Sequence, residues 1–333
     1  MLEDVSKDER APVSRIRLQR QWIVLWLLAA LLVLTACARE ATPTPTATPA
    51  PVSAYPNAHL LVETSWLQAN LDAPGMRLLD VRSPDRYAAG HLPDALNLPL
   101  SRISVNQPFP NELPPVSQIE TALAELGIGD DTVKVVLYDE NRGMVAARVF
   151  WTLEYFGLRD KVAILNGGFP KWQQENRPIT QAVPEVTPAQ FTARPEGRLL
   201  ITGDALLGNL GKPGFTVMDT RSLAEYVGQD LRGNMKGGHV PGAVNVNWED
   251  TMTPGDAGVW KPAGELAAMF VGKGLTQNDT VAVYCQTGVR AAHGYFTLRL
   301  MGFDKVTNYD GSMAEWNNRT DTPVETEPVA KVR

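Results

Sequence analysis

Positive charge and metal-binding side chains are scarce in this chain of 333 residues. The formal net charge is −6, and no basic block follows the first twenty residues, so the sequence lacks the cationic surface that nucleic acid requires. Only four histidines and two cysteines are present, and no Cys/His cluster has the spacing of a metal site. We therefore expect no nucleic-acid partner, no metal and no cofactor, and we expect a monomer.

Long apolar runs are also rare, and the one near the amino terminus is typical of a targeting segment. Residues 22–36 carry no charge and follow a stretch with five basic and four acidic side chains. A run of this length suits a signal-peptide core and falls short of the roughly 20 residues that span a bilayer. It ends in Leu34–Cys37, which resembles a bacterial lipobox, where the cysteine is lipidated. We predict a signal peptide over 1–37 and a lipoprotein exported to the cell envelope and anchored in the membrane through Cys37. An uncleaved anchor is the alternative.

The next residues cannot bury a core, and they leave one thiol in the folded part of the chain. Residues 38–56 are rich in proline and threonine and are predicted to form an extended linker. With Cys37 assigned to lipid, Cys285 has no disulfide partner, although an exported protein of this size could use one. Such a lone cysteine is most often buried and inert.

An internal repeat covers most of the remaining chain. Residues 78–100 align with 217–248 if the second copy has a nine-residue insertion, and residues 135–172 align with 281–316. The matched pairs include Asp80 with Asp219, Arg82 with Arg221, His91 with His239, and Trp172 with Trp316. Asp139 stands in the first copy where Cys285 stands in the second. We predict two domains, at 57–180 and 199–322, separated by a linker at 181–198 and followed by a tail at 323–333.

Each copy alternates short β-branched runs with helical patterns. This alternation predicts an α/β fold in which a mainly parallel sheet is covered by helices on both faces. Ligands of such folds bind beyond the carboxyl ends of the strands. Cys285 ends the most hydrophobic strand of its domain, which places it at a candidate site.

The residues after Cys285 favour a reactive thiolate. A tight turn through Gly288 would aim successive backbone N–H groups inward, and a helix starting near Ala291 would add its positive dipole end. Arg290 adds a formal positive charge nearby. A thiolate is the nucleophile that covalent sulfur chemistry needs. The alternative is an ordinary strand-end cysteine.

These motifs together resemble the tandem-domain rhodaneses, the thiosulfate and 3-mercaptopyruvate sulfurtransferases. The resemblance covers about residues 58–320 and rests on "DTRS", "GGHVPGAVN", "VAVYCQTGVRAA" and "YDGSMAEW" in that order. It implies that the first domain, with Asp139, is inactive. It also implies that Cys285 takes sulfur from a small anionic donor as a persulfide and passes it to a thiophilic acceptor such as cyanide or a thiol.

The resemblance further implies which residues bind the donor. The loop residues Gln286, Thr287, Gly288, Val289 and Arg290 would surround the transferred sulfur. Arg221 corresponds to an arginine that helps to bind the donor's anionic group; the alternative is a structural pair with Asp219 or Glu225.

The loop matches neither subfamily. Thiosulfate enzymes usually carry "CRKGVT" and mercaptopyruvate enzymes "CGSGVT", whereas this chain has "CQTGVR". The extra charge of Arg290 favours thiosulfate, with 3-mercaptopyruvate as the alternative. Thr287 could work with His91 and Asp80 as a triad, but His91, like His239, more simply organises its "GH-x-P" turn.

Two other classes of function are weighed against this one. Related phosphatases have a Cys-x5-Arg loop, and the Cys-x4-Arg spacing here is one residue shorter and suits a single sulfur atom. A non-catalytic envelope module that carries sulfur or binds a partner would need the same loop, and it stays an alternative.

Overall fold

The computed structural model describes residues 54–255 and 257–326. The predicted signal peptide with Cys37, most of the predicted linker, and the last seven residues of the predicted tail lie outside the described residues. Within the described residues, no helix is both long and apolar enough to cross a membrane.

The first half of the described chain is built on a five-stranded parallel sheet in the order β1-β5-β4-β2-β3. Its central strand, β4, is a β-branched run that is buried along most of its length. Helix α2 begins where the Ser83 side chain accepts from the Arg86 N–H, with Pro84 in the first turn. The strands are β1 (Leu61–Val62), β2 (Met76–Asp80), β3 (Ala95–Asn97), β4 (Lys134–Tyr138) and β5 (Val162–Leu165). The helices are α1 (Thr64–Ala69), α2 (Pro84–Ala89), α3 (Val116–Glu125), α4 (Met144–Leu153) and α5 (Gly168–Gln174), with a π-helix at Glu154–Leu158 and 3₁₀ turns at Ala58–Leu60 and Leu100–Arg102.

The second half repeats this arrangement with a four-stranded parallel sheet in the order β7-β6-β8-β9. A single bridge between Leu200 and Asn308 lies where the first half has the pair β1 and β5. The strands are β6 (Phe215–Asp219), β7 (Val244–Asn245), β8 (Thr280–Tyr284) and β9 (Val306–Asn308). The helices are α6 (Gly203–Asn209), α7 (Leu223–Tyr226), α8 (Ala263–Gly272), α9 (Val289–Leu300) and α10 (Ser312–Trp316), with 3₁₀ turns at Gly197–Leu199 and Trp248–Thr251.

Helices α4 and α9 join the two halves. Their Phe150 and Phe296 rings meet edge to face with centroids 4.9 Å apart, and one buried apolar cluster continues from one half into the other. A second cluster covers the other face of the first sheet, and a third covers the other face of the second sheet. The predicted α/β fold with parallel sheets covered on both faces is therefore confirmed.

Two elements of the second half are short. Strand β7 pairs only at Val244–Asn245, and helix α7 is one turn, Leu223–Tyr226. Helix α9 begins at Val289, before the expected start near Ala291. The domain boundaries stay a prediction, although every described strand and α-helix falls inside the two ranges.

Candidate functional site

Cys285 lies between the end of β8 and the first turn of α9. Its side chain is buried, with 1% of the residue exposed. Gly288 caps α9 with a φ of +74°, and a Cβ at that position would lie 2.6 Å from Asp310 Oδ1 and 2.7 Å from Arg148 Nη1. The predicted tight turn therefore exists, and both its backbone conformation and its surroundings require glycine.

Ser312 fixes the shape of this turn from the neighbouring loop. Its buried Oγ accepts from the N–H of Cys285 at 3.2 Å and from the N–H of Gly288 at 3.1 Å, and donates to the Tyr309 carbonyl at 2.7 Å. Ser312 has a φ of +48°, which is uncommon for a residue with a Cβ. Ser312 was not among the predicted site residues, although it lies inside the "YDGSMAEW" motif.

The first turn of α9 presents donors toward the cysteine end of the loop. Among the described residues, none accepts a hydrogen bond from the N–H groups of Arg290 and Ala291. These groups belong to the positive end of a twelve-residue helix. An anion at Cys285 would therefore meet both the helix dipole and unpaired donors.

The equivalent loop in the first half contains its own anion. The Asp139 carboxylate accepts from the backbone N–H groups of Asn141 at 3.0 Å, Gly143 at 2.9 Å, Val145 at 2.8 Å and Ala146 at 3.0 Å. Burial raises the pKa of Asp139, and the four N–H donors oppose that rise because they favour the ionised form. The loop conformation of this fold thus suits a negative charge at the position that Cys285 occupies in the second half.

Arg290 and Glu225 form a two-pronged ion pair beside Cys285. Arg290 Nη1 and Nη2 donate to the two carboxylate oxygens of Glu225 at 2.7 and 2.8 Å. Burial alone would raise the pKa of Glu225, but Arg290 and the Ser222 hydroxyl outweigh it and lower that pKa to about 2. Burial alone would lower the pKa of Arg290, yet Glu225 and the charge of Cys285 raise it. Arg290 therefore lies within electrostatic reach of the cysteine, as predicted.

Arg221 lies beneath the site in a structural pair. Its Nε and Nη2 donate to Asp219 at 2.6 to 3.1 Å, and Nη2 also donates to the Gly238 carbonyl. Arg82 makes the same contacts with Asp80 and Gly90 in the first half. These contacts are those of the structural alternative with Asp219, and donor binding by Arg221 stays a prediction.

The remaining loop side chains are held by segments on either side. Gln286 and Asn234 exchange two amide hydrogen bonds at 3.0 and 3.1 Å, so the insertion of the second copy fixes Gln286. Thr287 Oγ1 accepts from Asn111 of the first half at 3.4 Å. Asn234 and Asn111 carried no motif in the sequence, because their role depends on segments far apart in the chain.

The proposed triad of Thr287, His91 and Asp80 does not form. His91 is fully buried, stacks on Tyr87, and places its ring nitrogens at 2.9 Å from the Tyr87 carbonyl and 3.1 Å from the Ala182 carbonyl. His239 makes the equivalent stack and contact with Tyr226 in the second half. The preferred interpretation, in which His91 organises its own turn, describes these contacts.

The first half also contacts the loop after Cys285 through the buried guanidinium of Arg148. Arg148 of α4 is fully buried, and its guanidinium donates to Asp310 and to the Asn111 carbonyl. Asp310 in turn accepts from the Leu113 N–H at 2.8 Å. Since Arg148 Nη1 would lie 2.7 Å from a Cβ at Gly288, the first half contributes to the enclosure of the loop.

The site as a whole suits nucleophilic chemistry at sulfur. It contains one buried thiol, donors from a helix start, and an arginine whose charge is balanced by a carboxylate. In the described ranges, no group of three or more His, Cys, Asp or Glu side chains is placed to hold a metal ion. Glu225 was missed as a site residue, although the "SLAE" capping pattern could have drawn attention to it.

Comparisons with known proteins agree with the repeat. A family model described as the rhodanese-like domain matches residues 63–175 and again residues 202–319. Both Asp139 and Cys285 fall inside these ranges.

Similar proteins include enzymes and a carrier. The chain is 36% identical to a thiosulfate sulfurtransferase of Azotobacter vinelandii, over 80% of this chain and 97% of the relative. It is 33% identical to the sulfur carrier protein TtuD of Thermus thermophilus, over 81% of this chain and 98% of the relative. The crystal structure of SseA from Escherichia coli, a 3-mercaptopyruvate sulfotransferase, superposes with a TM-score of 0.68 at 28% identity and covers 76% of this chain and 98% of SseA.

Proposed function

We infer that this chain, which belongs to the rhodanese family, is a sulfurtransferase. In this proposal it moves the outer sulfur of thiosulfate to a thiophilic acceptor through Cys285. The observation that carries this assignment is the pair of equivalent loops. One binds a built-in carboxylate with four N–H groups, and the other places a thiol at the equivalent position, ahead of the first turn of a twelve-residue helix. The resulting anion receptor suits a thiolate and a persulfide.

The first step forms a bond between sulfur atoms. The Cys285 thiolate attacks the outer sulfur of thiosulfate, and the S–S bond of the donor breaks with its electron pair leaving on sulfite. One negative charge then lies on the Cys285 persulfide and two on sulfite, which balances the charges of the thiolate and thiosulfate. The loop N–H groups and the start of α9 stabilise the persulfide anion.

The second step regenerates the enzyme. A nucleophile such as cyanide attacks the outer persulfide sulfur, the bond between the two sulfurs breaks, and the electron pair returns to Cys285 as a thiolate. Thiocyanate leaves with the transferred sulfur. The cysteine is therefore used in both steps, as expected for a ping-pong mechanism.

Steady-state assays with both donors test this assignment. The full-length protein, purified in detergent, is expected to form thiocyanate from thiosulfate and cyanide with parallel-line kinetics. Pyruvate release from 3-mercaptopyruvate measures the alternative donor. Cys285→Ser is expected to lose turnover and to keep its thermal stability.

Three outcomes would contradict the proposal in different ways. Turnover that persists in Cys285→Ser would remove the cysteine mechanism. A single stoichiometric transfer without turnover would favour the sulfur-carrier alternative, consistent with the likeness to TtuD. Phosphate release from an aryl phosphate without sulfur transfer would favour the phosphatase class.

We also propose that the protein acts in the cell envelope as a lipoprotein. The support is the sequence alone: an apolar run over 22–36, Cys37 directly after it, and a Pro/Thr-rich linker. Metabolic labelling with an alkyne fatty acid is expected to label the wild-type protein and not Cys37→Ala. A wild-type protein that stays unlabelled would leave the uncleaved anchor as the better explanation. The proposed monomer is tested by light scattering of the detergent-free folded part.

A further inference from the structure

The ion pair of Arg290 and Glu225, near Cys285, is largely shielded from solvent. The side chain of Glu225 is 3% exposed and that of Arg290 is 19% exposed. Glu225 is held from a second side by Ser222, whose hydroxyl lies 3.0 Å from the carboxylate. The geometry is two-pronged, which fixes the orientation of the guanidinium as well as its distance.

A different ion pair lies at the corresponding place in the first half. Arg86 occupies the helix position that corresponds to Glu225, and its Nε lies 3.3 Å from Glu140, which follows Asp139. There the arginine is on the helix and is 67% exposed, and the carboxylate is on the loop. In the second half the cation has moved to the first turn of α9, next to the cysteine, and a buried carboxylate lies behind it.

The pairing changes what an incoming anion meets. Arg221 is neutralised by Asp219, and Arg290 by Glu225. Arg232 approaches Glu225 only to 3.9 Å and is half exposed, so solvent screens it. The charged side chains around the loop therefore nearly cancel, and the attraction for an anion comes mainly from the backbone N–H groups and the helix dipole.

This balance affects the two candidate donors differently. Thiosulfate carries two negative charges and 3-mercaptopyruvate carries one carboxylate. Because Coulomb energy is proportional to charge, a carboxylate close to the site raises the free energy of the dianion about twice as much as that of the monoanion. Removing that carboxylate should thus help thiosulfate more than 3-mercaptopyruvate.

We propose that Glu225 is a specificity-determining residue that, by neutralising Arg290, limits the preference of Cys285 for dianionic donors over monoanionic ones. The inference rests on the proposed sulfurtransferase function. Glu225 acts through Arg290 and does not react with sulfur itself.

The test compares the two donors in Glu225→Gln, which keeps the size of the side chain and one oxygen that can accept from Arg290. The ratio of kcat/KM for thiosulfate to kcat/KM for 3-mercaptopyruvate is expected to rise about fivefold, the effect of one extra unit of positive charge at partly screened distance. The rise is expected to shrink when the ionic strength increases. A purely structural role would lower both rates together and leave the ratio unchanged.

Two further variants keep the test decisive if Glu225→Gln is poorly folded. Arg290→Gln leaves the carboxylate uncompensated and is expected to lower the ratio. The double variant with both glutamines restores neutrality and is expected to return the ratio to within about twofold of the wild type, as a double-mutant cycle on one pair requires.

Glu140→Gln is the matched control, because it removes one carboxylate from the Arg86–Glu140 ion pair of the first half. It changes the net charge of the protein by the same amount and is expected to leave the ratio unchanged. Equal shifts in Glu140→Gln and Glu225→Gln, or no shift in Glu225→Gln, would overturn the inference. A wild-type protein that turns over neither donor would instead contradict the sulfurtransferase function, and this inference with it.

Discussion

The loops that follow β4 and β8 are equivalent in position but differ in the residue at the strand end. In the first half, the Asp139 carboxylate accepts hydrogen bonds from the N–H groups of its own loop. In the second, Cys285 supplies a group whose charge and covalent state can change, and Ser312 takes over part of the hydrogen bonding of the loop. The two loops therefore occupy equivalent places, and we propose that the residue at the strand end decides whether the loop holds a fixed anion or a reactive one.

The most direct test of this comparison replaces Cys285 with aspartate, the residue at the equivalent position of the first half. Cys285→Asp is expected to lower sulfur transfer by about a thousandfold or more, because no nucleophilic sulfur remains. Its carboxylate can accept from the same N–H groups, so the melting temperature should stay close to that of the wild type. Thiocyanate assays and thermal unfolding measure both properties.

The control for this variant is Cys285→Ala, which removes the sulfur without adding a charge. It is expected to be equally inactive. If Cys285→Asp melts well below Cys285→Ala, the catalytic loop does not bind anions as the Asp139 loop does, and the comparison fails.

The buried ion pair between Arg148 of the first half and Asp310 of the second is tested by Arg148→Met. Removing one partner of the buried pair leaves Asp310 uncompensated and is expected to cost about 3–5 kcal/mol in the free energy of unfolding. Activity should fall as well, because Arg148 and Asp310 enclose Gly288. Urea unfolding gives the first quantity and kcat the second.

A second substitution separates the charge from the packing. Adding Asp310→Asn to Arg148→Met removes the uncompensated carboxylate and is expected to recover part of the lost stability. If the double variant is as unstable as the sum of the two single variants, the two residues do not act as a pair.

The importance of the built-in anion is tested by Asp139→Ala. Four backbone N–H groups lose their acceptor, and we expect a loss of about 3 kcal/mol in the free energy of unfolding, since water can satisfy only part of them. Asp139→Asn keeps one acceptor oxygen and should lose less. An alanine variant as stable as the wild type would show that the carboxylate is dispensable.

The last prediction concerns equivalent positions on α4 and α9. Arg148 stands five residues after Gly143, and His293 stands five residues after Gly288. His293 is fully buried against Trp248 and Trp260, and burial lowers its pKa from 6.5 to about 3. The unfolded chain therefore binds a proton below pH 6.5 that the folded chain does not bind until about pH 3.

Acidification through this window should consequently destabilise the fold. His293 is expected to contribute up to about 1.4 kcal/mol of lost stability per pH unit, and His293→Gln should reduce that slope. Urea unfolding from pH 7 to pH 4 measures it, with the exposed His59→Gln as the control. An unchanged slope in His293→Gln would mean that this histidine is not neutral in the folded protein.

The repeat and its periodicities were sufficient to predict the fold, and they indicated Cys285 as the reacting residue, which stays a prediction. β-branched runs such as 134–138 and 280–284 form central strands wherever both faces of a sheet are buried, so local pattern and tertiary structure agree there. Gly288 was predictable because a tight turn before a helix needs a left-handed residue. The comparison of Asp139 with Cys285 required only the alignment of the two copies.

The tertiary structure alone decided which side chains complete the site. Four of these side chains lie between 24 and 176 residues along the chain from the residues that they contact: Ser312, Asn234, Asn111 and Arg148. A periodic sequence pattern does not indicate contacts at such separations. The pairing of Arg221 with Asp219 and its burial likewise depend on how β6 packs, and donor binding by Arg221 stays a prediction. The sequence determined which residue is the candidate nucleophile, since a thiol at a strand end before a tight turn is a property of one residue and its neighbours. The charge that surrounds this atom is a sum over residues brought together by folding, and only the three-dimensional arrangement sets it.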